Sequence, residues 1–316
     1  MAQRVCFYFQ VHQPYRLKDL RYTDVGKNVP YFDDEKNRTI FRKVAEKCYL
    51  PANTTILGML KENPDFRVSY SLSGVFLDQC RDYGPDVLAS FQELAKTGQV
   101  EFLAETYYHS LASIKSVREF CEQVSKHARA IRELFGQSPT VFRNTELIFN
   151  NEIAHVVRLM GFKGIVTEGT DRHVAGRNPN VPHRPPIFRL PRTTEAMIAA
   201  NRPHATASRT IDILLKNYKL SDDVAFRFSD KNWACHPLHG DTYAQWIADT
   251  PGHSVNLFMD YETFGEHQWA DTGIFQFLAS LPRMFAERGI RTTTPSQTVE
   301  EWDEKHPTYD VHETIS

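Results

Sequence analysis

Two acidic residues in this sequence stand where chemistry is assembled in α/β proteins. Glu146 follows the short apolar run Thr140, Val141, Phe142 and precedes a helical pattern, while Asp260 closes the run 254–259. In a parallel sheet or barrel, the C-terminal end of a strand is where active sites form. A pair of carboxylates at that rim suits cleavage of a sugar bond, with one as nucleophile and the other as general acid and then base. The surroundings of the two differ. Arg143 precedes Glu146 by three positions and is expected to hold it ionised by Coulomb attraction. Asp260 lies among Phe258, Met259, Tyr261 and Phe264, which should desolvate it and raise its pKa, as a proton donor requires.

Other strand ends carry polar groups in the same sense. His12 and Gln13 follow the run 5–11, Glu105 and His109 follow 100–104, and Glu262 and His267 follow Asp260. If the strands are parallel, all of these converge on one rim. Trp269, just beyond the Asp260 loop, is the tryptophan best placed to stack on a pyranose face. A metal reading of His12, His109, His236, His239 and His267 has poor ligand spacing, because no H-x-x-x-H or Cys/His set occurs. No metal and no cofactor are therefore expected. Phosphate-binding glycine loops and a G-x-S-x-G elbow are also absent.

The elements that must position these groups alternate. Strand patterns at 5–11, 67–73, 100–104, 140–142, 163–169, 211–215 and 254–259, with a further apolar run at 224–229, are interleaved with helical patterns at 37–48, 51–62, 85–97, 116–135, 151–160, 241–248 and 273–288. A last strand and short helix follow Gly289. Such alternation implies parallel strands with right-handed crossovers, hence a barrel or a doubly wound sheet. Residues 171–211 break the rhythm with prolines and an arginine excess; they read as an excursion over the mouth of the fold, with a helix near 194–201. A single domain spanning 1–316 is expected.

Composition narrows the partners. The chain has 316 residues, 41% apolar and 24% charged, with a net charge of −2. That balance gives no electrostatic case for nucleic acid or an anionic membrane, and it leaves the oligomeric state open. The five cysteines are scattered without a C-x-x-C pair. They read as reduced, mostly buried thiols, and with no signal-peptide pattern at the N-terminus the expectation is a cytoplasmic protein.

The motifs also carry a resemblance. "HQP" at 12–14, "GQVEFLAETYYHSLA" at 98–112, "FRNTELIFNN" at 142–151, "FMDYETFGEHQW" at 258–269 and a weaker region around "TTPSQTVEEW" occur in the order typical of glycoside hydrolase family 57. The chain resembles in particular the members called α-amylases. The resemblance implies an incomplete (β/α)7 barrel, with the family's C-terminal helical region largely missing, so that apolar surface would be exposed and the cleft loosened. It also implies a retaining enzyme acting on α-1,4-glucans such as starch, glycogen or maltodextrin, with Glu146 as nucleophile and Asp260 as acid/base. His12, Glu101, His109, Arg143, Glu262 and His267 fall in the surrounding motifs. A 4-α-glucanotransferase shares this chemistry, and a non-catalytic glucan-binding protein is the alternative for a shortened relative. A metal-dependent polysaccharide deacetylase on a related barrel is a third reading.

Overall fold

The computed structural model describes residues 3–316. Eight strands carry the architecture: β1 (Arg4–Val11), β2 (Val68–Leu72), β3 (Val100–Phe102), β4 (Val141–Arg143), β5 (Gly164–Thr167), β6 (Asp212–Leu215), β7 (Val255–Asp260) and β8 (Arg291–Thr293). Every ladder between them is parallel. One sheet runs β3-β2-β1-β7 with β8 also on β1, and the other runs β4-β5-β6.

Backbone bonds join the two sheets at both seams. Ala104 forms a parallel bridge to Phe142, accepting from Arg143 N at 2.8 Å. Across the other seam, Asn217 N donates to Asn256 O at 2.8 Å. The strands therefore curl into a ring in the order β1 to β7, the incomplete (β/α)7 barrel that the sequence implied.

Strand alternation explains the core. From β1, Cys6 and Tyr8 point inward to meet Leu103, Val141, Val166, Leu214 and Phe258 in a cluster that fills the barrel. Val5, Phe7, Phe9 and Val11 point outward under the helices of the β1-β2-β3-β7 side. A separate cluster around Phe142, Ile165 and Ile213 lies beneath the helices of the β4-β5-β6 side. All the cysteines are unpaired, and four of the five are buried. Among the described residues no helix is long and apolar enough to cross a membrane.

Three local readings change. The helices expected at 37–48 and 51–62 are one continuous path, Asp34–Val44 and Leu50–Glu62 joined by a wide π turn at Ala45–Tyr49. Pro51 brings no N–H to the helical ladder, and the wide turn before it absorbs the missing bond. A helix at Gly74–Tyr83 had no counterpart in the sequence reading; Ser73 caps it by accepting from Phe76 N. Gly74 at its start is a close-approach glycine, since a Cβ there would strike the Tyr107 ring.

The third concerns 171–211: residues 171–179 stand beside Lys216 at the rim, and the remainder leaves the mouth for the outer wall. Its helix Arg192–Asn201 packs on the outer helices Val117–Phe135 and Asn151–Leu159. His183 bridges Ile213 of β6, so the segment supplies the crossover between β5 and β6. Its buried Ile198 and Val174 are what hold it to the outer wall.

The segment after Trp302 is likewise more than a polar tail. Tyr309 and Val311 are fully buried in the β4-β5-β6 side, and Ile315 exchanges two backbone bonds with Phe149.

Candidate active site

The C-terminal ends of β1, β4 and β7 open into two adjoining cavities of about 260 and 240 Å³. Gln10, Arg143, Glu146, Asp260 and His267 line both. His12, Gln13, His109 and Glu262 complete the smaller one. Eight of the ten predicted site residues, namely His12, Gln13, His109, Arg143, Glu146, Asp260, Glu262 and His267, thus meet in one cleft.

Glu146 sits on an improbable backbone. It and Leu147 both have positive φ, 53° and 55°, at the turn leaving β4. Two consecutive left-handed residues with side chains cost energy that the surroundings must overcome. Asn144 Nδ2 donates to Ile148 O at 2.9 Å, and Thr167 Oγ1 donates to Leu147 O at 2.8 Å, pinning the turn on both sides. Glycine would fit this turn without strain, but it would present no carboxylate.

Beneath Glu146 lies a charged column. His109 Nε2 is 3.1 Å from Glu146 Oε1, and its Nδ1 is 3.2 Å from Oε2 of Glu105. Glu105 has no solvent exposure. It accepts from Ser71 Oγ at 2.6 Å and from Gln10 Nε2 at 3.4 Å, with Arg143 Nη1 at 3.9 Å. Burial works against its charge, yet the bond from His109 and the nearby cations outweigh it and hold its pKa down at about 2. His109 is raised from its ordinary value: burial lowers it, and the bonds to Glu105 and Glu146 overcome that. His12 stacks on His109 with centroids 4.0 Å apart and is lowered to about 4, by burial and then by the His109 charge.

Glu146 is lowered from the ordinary carboxylate value, first by the His109 hydrogen bond, with Arg143 a smaller contribution. The ionising partner expected from sequence was Arg143. Arg143 instead lies almost fully buried with Nε and Nη1 free of hydrogen-bond partners, facing the cleft. Unmatched buried donors of this kind are satisfied by a ligand rich in oxygen.

Asp260 also departs from expectation. It is exposed, while Phe258, Tyr261 and Phe264 turn into the core. The desolvated carboxyl is its neighbour Glu262, which is buried and pushed up to about 8, chiefly by burial. Tyr49 donates to it at 2.5 Å, and Gln13 Nε2 donates to Tyr49 at 3.1 Å. Gln13 therefore acts from behind Glu262.

Three residues fall outside the cleft walls. Glu105 supports His109 from below. Trp269 is 61% exposed with Lys47 Nζ 5.7 Å above its ring, and it does not line either cavity. Glu101 accepts from Ser296 N and Oγ at 3.0 and 2.9 Å, so it anchors the helix that starts at Pro295. Of the other histidines, His236 and His239 stay out of the cleft, and among the described residues no group of three or more His, Cys, Asp or Glu side chains is arranged to hold a metal.

Sequence reasoning missed Gln10, Lys216, Asp222 and Phe226, all of which line the larger cavity. Gln10 carried a signal, being a polar residue inside a buried apolar strand. Lys216 lies 3.5 Å from Glu168 and 3.6 Å from Asp222, a charge-compensated group just past β6.

Known proteins resemble this chain in sequence and in fold. A protein of Methanocaldococcus jannaschii named "Putative alpha-amylase" is 42% identical over 317 residues, covering 99% of this chain and 63% of that protein. The 4-alpha-glucanotransferase of Thermococcus litoralis superposes with a TM-score of 0.69 at 17% identity, over 98% of this chain and 42% of the other. The GH57-type branching enzyme of Pyrococcus horikoshii gives 0.64 at 14% identity, over 99% of this chain and 72% of the other. These two superpositions establish the fold. This chain spans less than two thirds of the length of the first two proteins. The sequence pattern of Glycosyl hydrolase family 57 matches residues 6–314, and the chain belongs to that family.

Proposed function

We propose that this chain is a retaining glycoside hydrolase acting on α-1,4-glucans, with Glu146 as nucleophile and Asp260 as acid/base. The observation that carries the reading is the cleft itself: two exposed carboxylates, on the ends of β4 and β7, line the same two cavities. In the first step a Glu146 oxygen attacks the anomeric carbon, the glycosidic C–O bond breaks, and the proton of Asp260 goes to the leaving oxygen. In the second, Asp260 takes a proton from water as that water attacks the same carbon and frees Glu146.

The supporting groups suit these roles. His109 keeps Glu146 ionised for attack, and the buried Arg143 donors offer bonds to sugar oxygens. A neutral Glu262 leaves Asp260 without a second negative charge beside it.

The name of the M. jannaschii relative supports an α-amylase-type activity, and the glucanotransferase of T. litoralis keeps 4-α-glucan transfer as the second reading. One observation favours hydrolysis: the Glu146 side chain is 64% exposed and Asp260 is exposed, so water reaches both. Maltooligosaccharides are the test substrate. Reducing ends should appear, and Glu146→Gln and Asp260→Asn should each lower turnover by about three orders of magnitude with unchanged circular dichroism. Products longer than the starting chain would replace hydrolysis by transfer. Saturable glycogen binding without turnover would reduce the chain to a glucan-binding protein.

A further inference from the structure

The arginine excess of 171–211 finds no use in the cleft. It gathers instead around a cavity of about 610 Å³ on the outer wall, beside the β5–β6 crossover. Arg184, on its wall, pairs at 2.7 Å with Asp212, the first residue of β6, whereas Lys216, just past the last residue of β6, lines the cleft. The cavity therefore sits at the opposite end of the barrel.

Five guanidinium groups, Arg158, Arg184, Arg189, Arg192 and Arg209, line it against one carboxylate, Glu195. Among the described residues the ion pairs of the lining are Arg184–Asp212 at 2.7 Å and His155–Glu195 at 3.9 Å, and neither involves Arg189, Arg192 or Arg209. A chain of net charge −2 has thus concentrated unpaired cations in one concavity, where they repel one another.

Two independent features point inward. His155 is 9% exposed, lines the cavity, and has a buried Nε2 without a hydrogen-bond partner. Arg158 Nη2 lies 3.5 Å from His155 Nδ1, which makes Nδ1 the acceptor and leaves the proton on the unpartnered Nε2. The helix Arg192–Asn201 also begins here with no side-chain cap, so its positive end faces the same space. Arg192 at that end adds to the positive helix terminus, and Glu195 in the first turn is the one carboxylate of the lining set against both. The remaining wall is stiff and apolar: Pro185, Pro186, Phe188, Leu190 and Ile211.

We propose that this cavity is a binding site for a phosphorylated organic molecule, its phosphates held by Arg189, Arg192, Arg209 and the His155 Nε2–H, and its organic part laid against the proline and phenylalanine wall. Guanidinium forks match phosphate oxygens in pairs, and the volume falls in the range of small-molecule sites. Two sources share this chemistry, a nucleotide and a sugar phosphate.

Calorimetric titration of the full chain with ATP, glucose 6-phosphate and pyrophosphate tests the proposal. ATP or glucose 6-phosphate should bind saturably and more tightly than pyrophosphate, the tighter one identifying the source, and the affinity should fall as salt rises. Arg192→Ala and Arg209→Ala, both exposed positions without partners, should each weaken binding about tenfold, and Glu146→Gln should leave it unchanged. The proposal is overturned if neither organic phosphate binds at millimolar concentration, if pyrophosphate binds as tightly as both, if the arginine variants bind like the parent, or if Glu146→Gln abolishes binding. The last result would assign the phosphate to the cleft.

Discussion

The exposed carboxylates at the ends of β4 and β7 each stand near a buried one, Glu105 beyond β3 and Glu262 beyond β7, yet the buried partners are in opposite states. Glu105, without exposure, is held at about 2; Glu262, also buried, is pushed up to about 8. Burial raises both, so it cannot be what separates them. What differs is the company. Glu105 has the hydroxyl of Ser71, the amide of Gln10, the imidazole of His109 and the guanidinium of Arg143. Glu262 has the Tyr49 hydroxyl and, at its back, the charge of Asp260. The lesson is that donors and cations, counted one by one, decide whether a buried carboxyl carries charge.

The first break of this contrast is Glu105→Gln. Glu105 is lowered in the folded state, so its contribution to stability is fully present above the ordinary carboxylate range and is lost as pH falls through about 2. A drop from 4.5 to about 2 corresponds to roughly 3 kcal/mol. Urea unfolding at pH 7 should find the variant less stable by that order, with the gap narrowing below pH 4.5. An equal loss at every pH would mean that packing, and not charge, sets the cost.

A milder probe is His109→Gln, which keeps a donor but removes the cation between the two carboxylates. The acid limb of kcat/KM should move up, because the depressed Glu146 returns toward its ordinary value. An unmoved limb would transfer the ionising role to Arg143, as the sequence alone suggested.

Much of this was legible in the chain. Strand-helix alternation narrowed the fold to a barrel or a doubly wound sheet, the family resemblance chose the barrel, and polar residues after apolar runs placed His12, His109, Glu146 and Asp260 at one mouth, because parallel strands leave little choice of rim. What was not legible depended on contacts distant in sequence. The sequence window around Asp260 is apolar, yet those side chains pack inward and the burial falls on Glu262, two residues later. Trp269 follows the right loop but stands outside the cleft, since loop direction is set by packing and not by sequence proximity. Residues 171–211 looked like a lid because prolines and arginines suggest irregular surface chain. Their docking on the outer helices depends on buried Ile198 and Val174, a tertiary contact that no local pattern encodes.

The last test sharpens the β7 side of the comparison. Because Glu262 is raised to about 8, the folded chain keeps its proton where the unfolded chain has lost it, so stability falls as pH rises from 4.5 through about 8 and then levels. Glu262→Gln preserves an oxygen for the Tyr49 hydroxyl and removes the titration. Its melting temperature should be close to the parent's at pH 5 and exceed it at pH 9, since a rise from 4.5 to about 8 corresponds to roughly 5 kcal/mol that the parent loses over that range. If the variant is instead less stable at pH 9 than the parent, Glu262 carries a compensated charge in the folded protein. The two buried carboxylates would then be in the same ionised state, and the low charge beside Asp260 would no longer distinguish a proton donor from a nucleophile.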